Sequence, residues 1–126
     1  MLSTAMSFAR DLTLTVLIEG AVLWVALDPA HTRGTKVLAA WWLSTCTLPI
    51  VRFVFPLLSA LGWPRWAWLT WAEVFAPAAE CALFAALVTA QSNGKARASA
   101  RDMFAIVLAN LTSFGVGELL RVSGMR

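Results

Sequence analysis

The chain has 126 residues, 60% of them apolar and 13% charged, with a mean hydropathy of +0.72. A soluble domain usually has about 45–50% apolar and roughly 25% charged residues, so too little polar surface remains to coat a water-soluble globule, and the excess reads as lipid-facing surface. The net charge of +3 comes without a Lys/Arg run interleaved with aromatics, which gives no support to a nucleic-acid surface and fits anchoring to anionic headgroups.

The first apolar run covers 7–27 and contains "LTVLIEGAVLWVAL" (14–27), with Glu19 in its midst and no cation within a turn of it. Arg10 followed by an apolar run and "ALDPA" has the outline of a signal peptide. The late charge, the mid-run Glu19 and the lack of a clean small-x-small site favour a retained first span instead. Three more runs follow, 37–60, 67–90 and 103–121. Each is close to the roughly 20 residues that a bilayer-spanning helix needs. Backbone in lipid must satisfy its own hydrogen bonds, so the expected fold is an all-α membrane protein of four transmembrane helices, one domain over 1–126. The connections "DPAHTRGTK" (28–36), "LGWPRW" (61–66) and "QSNGKARASAR" (91–101) are short and punctuated by Pro and Gly, so successive helices should be antiparallel neighbours.

Trp63, Trp66, Trp68 and Trp71 crowd the second connection and read as an aromatic belt at one membrane face. Arg33, Lys36, Lys95, Arg97 and Arg101 share the side of the first and third connections. Arg10, Arg65, Arg121 and Arg126 lie on the other. The dense third connection points to the cytoplasm. Cys46 and Cys81 match no metal or redox spacing and read as small buried hydrophobes.

The second half echoes the first. "WLSTCTLPIVR" (42–52) aligns without gaps on "LANLTSFGVGE" (108–118), and "LIEGAVLWVAL" (17–27) on "AAECALFAALV" (78–88). Glu19 then falls on Glu80, Ser44 on Asn110, Thr47 on Ser113 and Arg52 on Glu118. Each repeat is a helical hairpin, so two parallel repeats related by an axis along the membrane normal are expected. Depth sorts the polar residues into two layers. Glu19, Ser44, Glu80 and Asn110 form a middle layer. Arg52, Glu73 and Glu118, joined by Asp11, form an outer layer nearer the second connection and the termini.

The expected partner of Arg52 is Glu118 or Glu73, in a helix-locking ion pair. Glu73 and Glu80, seven residues apart, share a face of the third helix, and Pro77 between them should free a carbonyl and kink the helix. Asn110, Ser113 and Gly117 form a small, polar stripe suited to close helix approach, and Gly20 beside Glu19 suits the same purpose. The middle layer has no cation at its depth. Its carboxyls are expected either to be protonated and hydrogen-bonded to Ser44, Asn110 or a carbonyl, or to hold a proton or cation that moves. His31, the only histidine, reads as a solvated loop residue, and no nucleophile elbow, phosphate loop or Cys/His cluster appears. The chain is therefore expected to be no enzyme and to use no cofactor or metal.

The order of these motifs resembles small bacterial four-helix integral membrane proteins that typically read "ANLLTHPLLW" and "LLANLLSFLLG". Ala109, Asn110, Leu111, Ser113, Phe114 and Gly117 follow the second motif. The first departs from it, with Ser44 in place of Asn, Leu48 in place of His and Arg52 near the usual Trp, which puts any shared ligand site in the second helix in doubt. The resemblance implies the bundle fold and a bacterial inner (cytoplasmic) membrane. The functional expectation is a non-catalytic subunit or assembly partner in a membrane complex, a homo-oligomer or a neighbour of other membrane subunits, its polar layer locking the helices. The alternative is proton or cation translocation through Glu19 and Glu80. A membrane-embedded enzyme ranks last.

Overall fold

A computed structural model describes residues 2–124; Arg126 lies outside them. Among the described residues every regular element is helical. α1 spans Leu2–Ala26, α2 Arg33–Pro49, α3 Arg65–Gln91 and α4 Ala100–Val122. Beyond Pro49, α2 continues as a π-helical turn (Ile50–Val54) and a 3₁₀ segment (Phe55–Leu61). The expected boundaries differ by a few residues, except that α1 starts at Leu2 rather than residue 7, which moves Glu19 into the last third of its helix.

Local chemistry explains these ends. Thr32 caps α2 by accepting from the Thr35 N–H at 3.2 Å. Ser99 and Asp102 form a reciprocal capping box at the start of α4. Pro49 offers no N–H and its ring crowds the carbonyl one turn back, so the regular pitch of α2 ends there, and Pro56 starts the tighter 3₁₀ stretch. Gly62, at φ +86°, closes it in the left-handed region. α3, by contrast, runs on through Pro77.

α1 packs mainly on α2 and α4, and α3 on the same two helices. The four therefore form a ring in which α1 and α3 face each other across the centre. At the α1–α2 seam a Cβ on Gly20 would stand 3.2 Å from the Ala40 Cβ, so Gly20 permits the close approach expected of it. Gly20→Leu should lower the thermal midpoint in detergent, with an overpacking cost of about 1–3 kcal/mol. Unchanged melting of this variant by circular dichroism would show that the seam is looser than described.

Leu23, Leu27, Leu43, Phe84 and Ile106, all nearly fully buried, fill the half of the ring nearest the first and third connections. Trp24, Trp41, Val54, Phe104, Leu111 and Leu119 stay exposed, the pattern of a bundle wetted by lipid rather than water. Arg33–Leu61, α3 and α4 are long and apolar enough to cross a membrane. α1 is not one of them, because Arg10, Asp11 and Glu19 all lie within its 25 residues. Three of the four expected spans are thus long and apolar enough to cross a membrane by themselves.

Candidate functional site

The middle layer is assembled. Glu19, Ser44, Glu80 and Asn110 are all buried. Ser44 Oγ donates to Glu19 Oε2 at 2.7 Å, and Asn110 Nδ2 donates to Glu80 Oε2 at 2.7 Å. Two hydroxyls complete the layer. Thr47 Oγ1 lies 2.6 Å from Glu80 Oε1, and Ser113 is within reach of Glu19. Each glutamate thus meets one polar side chain from its own hairpin and one from the other. Asn110 also donates to the Ile106 carbonyl at 3.0 Å, so both hydrogens of its amide are used.

Thr47 Oγ1 is also 3.0 Å from the Leu43 carbonyl. A hydroxyl has one proton to give. With Glu80 protonated, the carboxyl donates to Thr47 and Thr47 donates to Leu43. With Glu80 ionised, Thr47 turns its proton to the carboxylate, and the Leu43 carbonyl keeps its ordinary helical N–H partner. Either state leaves every polar atom here satisfied. Among the described residues no buried side-chain nitrogen or oxygen lacks a partner.

The outer layer is wired differently from expectation. Arg52 pairs with Asp11 of α1, not with Glu118 or Glu73, and also donates to Ser7 Oγ at 2.7 Å. Glu118 is held by Arg65 at 2.8 Å and by Arg121, one turn on, at 2.9 Å. The physical reason is reach. Arg65 opens α3 beside the end of α4, while Arg52 sits on the π turn, turned toward the buried Asp11. Glu73 makes no hydrogen bond or ion pair among the described residues; it faces open space.

That space is a chamber of about 400 Å³ inside the ring. Glu19, Glu80, Thr47 and Asn110 lie at its base, Glu73 and Arg52 on its wall, and Arg65, Glu118 and Arg121 at its mouth. The mouth residues are a quarter to a half exposed, whereas Glu19 and Glu80 are 4% and 2% exposed. The chamber therefore opens toward the second connection. On the opposite side the apolar core closes it. Leu48, Val51, Leu69 and Phe114 supply apolar wall.

Three further expectations need adjustment. Trp63, Trp66 and Trp71 are exposed, as a belt requires, but Trp68 turns inward and lines the chamber. Cys46 and Cys81 are free and only partly buried. His31 is not a solvated loop residue: its side chain is 13% exposed, its Nε2 lies 2.8 Å from Asp102 Oδ2, and its ring meets Phe84 edge-on. Nothing in the spacing of His31 and Asp102 ties them together, because 71 residues separate them. Of the two partners of Glu118, the three-residue spacing signals Arg121, whereas Arg65 comes from a distant part of the chain.

Compared with family models, curated proteins and solved structures, the chain has no match.

Proposed function

We propose that this protein exchanges protons at the Glu19/Glu80 layer, through a chamber open to one face of a bacterial inner membrane. The observation that carries the reading is that both buried carboxyls line the base of an accessible cavity. A layer that only locked helices together would need no such space beside it. An assembly partner that uses the layer as a lock, the leading expectation from sequence, accounts for the hydrogen bonds but not for the chamber. The two-position hydroxyl of Thr47 supports exchange further, because Glu80 can gain or lose its proton without stranding a polar neighbour. Because the Thr47 hydroxyl can face either way as Glu80 gains or loses a proton, the proton is the species we assign. The function is non-enzymatic.

The bonding pattern agrees with two parallel hairpin repeats. The alignment that sets Glu19 on Glu80 also sets Ser44 on Asn110, which hydrogen-bond the two carboxyls, and Thr47, which bonds Glu80, on Ser113, which lines the same chamber. In this reading α1, too polar to cross lipid unaided, crosses as part of the bundle, with Asp11 and Glu19 turned inward.

The test is infrared difference spectroscopy on protein in proteoliposomes. A pH step should change the absorbance of protonated carboxyl groups, and Glu19→Gln and Glu80→Gln should each remove part of that change while the helical circular dichroism survives. A wild-type carboxyl signal indifferent to pH ends the proposal.

A further inference from the structure

The chamber reaches only one face. A proton that crosses the membrane must also leave from the other, and the apolar core stands in the way. We propose that His31 and Asp102 form the proton-exchange site of the second face, with Phe84 as the gate between that site and Glu80; this rests on the proton-exchange reading above.

Three observations place the site. First, Asp102 is more than a helix cap. It is fully buried, and its carboxylate takes the Asp28 N–H at 3.0 Å on one oxygen, and the Ser99 N–H at 2.9 Å and the His31 ring at 2.8 Å on the other. The capping box needs only Ser99. The contact with His31 is additional, and it fixes the imidazole with Nε2–H toward Asp102, leaving Nδ1 as the proton acceptor. Second, the 13% exposure of the His31 side chain brings the ring to the edge of solvent at the first connection. Third, the ring packs edge-on against Phe84, 5.3 Å between centroids. Phe84 is fully buried and lies four residues after Glu80 on α3, so it stands one turn from that carboxyl on the same face. Carboxyl, phenyl ring, imidazole and second face follow one another in order.

Of the charged groups near His31, three are engaged elsewhere, and Arg33, at the start of α2, is exposed. Lys36 of α2 donates to the Trp24 carbonyl at 3.1 Å and Arg101 of α4 to the Ala26 carbonyl at 3.0 Å, both at the C-terminal end of α1. Asp28 accepts from the Ala30 N–H at 3.0 Å. From α3 the ring meets Phe84, which carries no charge. His31 and Asp102 are thus left to each other. When Phe84 turns aside and water enters, the proton leaves the Glu80 carboxyl and arrives on Nδ1. Glu80 becomes a carboxylate held by Thr47 and Asn110. The imidazolium is balanced by Asp102 until Nδ1 releases its proton to water at the second face.

The experiment measures proton flux across proteoliposomes under an imposed pH gradient, beside the infrared carboxyl signal that reports Glu19 and Glu80. His31→Gln should lower flux about a hundredfold and leave the pH-dependent carboxyl signal as in wild type, because the chamber still supplies that side. Wild-type flux in His31→Gln overturns this inference while leaving the carboxyl layer standing. A wild-type carboxyl signal that ignores pH removes the underlying reading instead. A second measurement needs no variant. His31 is the only histidine, so ¹⁵N-histidine labelling reports it alone. Its ring nitrogens should report the tautomer with the proton on Nε2, facing Asp102, and Nδ1 free to accept, and the opposite tautomer overturns the proposal.

Discussion

Arg52→Met should destabilise the bundle in detergent by about 3–5 kcal/mol, the cost of taking the guanidinium away from a buried carboxylate. Asp11 is 4% exposed and is held by Arg52, which is itself largely covered. Among the described residues Arg10 also reaches Asp11, at 3.4 Å, but it is half exposed and compensates poorly. Arg65→Met is the control. It removes a half-exposed guanidinium from a carboxylate that keeps Arg121, and such pairs contribute about 0–1 kcal/mol. The two variants differ in burial, not in chemistry, and tryptophan fluorescence through a denaturant titration separates them. Arg52→Met combined with Asp11→Asn should recover much of the loss, because the buried carboxylate charge goes with the arginine. Equal melting of the two single variants would mean that the Arg52–Asp11 pair is solvated and holds nothing.

Hydropathy made the helices legible, because a run of about 20 apolar residues in lipid has one way to satisfy its backbone. The middle layer was legible for a related reason. Glu19, Ser44, Glu80 and Asn110 are polar where polarity is costly, and the alignment of the two halves sets them at matching positions. The outer layer was not. Depth alone cannot choose among several partners, and whether Arg52 meets Asp11 or Glu118 depends on helix rotation, which the π turn after Pro49 changes. A histidine beside Asp28 and Arg33 has the composition of a solvated loop, which hides the burial of His31. Its real partner comes from the far end of the chain, brought near by the packing of α1 on α4. The chamber could not be read from sequence at all. It arises because side chains around the base and wall leave space unfilled, a property of four helices together rather than of any one of them.

Phe84→Ala is the change that tests the closed half of the bundle. Phe84 is 0% exposed and packs in one cluster with Leu23, Leu43, Val88 and Ile106. Truncating a buried phenylalanine costs about 3–5 kcal/mol, the lost transfer of the ring plus the void it leaves. Phe84→Leu keeps most of the volume and should cost less than about 1.5 kcal/mol. Thermal melts of the three proteins in one detergent give the stability order. The void carries a second consequence, because it would lie between Glu80 and the His31–Asp102 pair, where the ring now separates the two. Proteoliposomes of Phe84→Ala should therefore pass protons faster than wild type, and adding His31→Gln should no longer suppress the flux, since water bypasses the imidazole once the gate is gone. In Phe84→Leu, where the gate remains, His31→Gln should keep its effect. Similar melting of Phe84→Ala and Phe84→Leu would show that the neighbouring helices collapse into the space. Flux in Phe84→Ala that still falls with His31→Gln would show that the imidazole, not the ring, is the barrier on the second face.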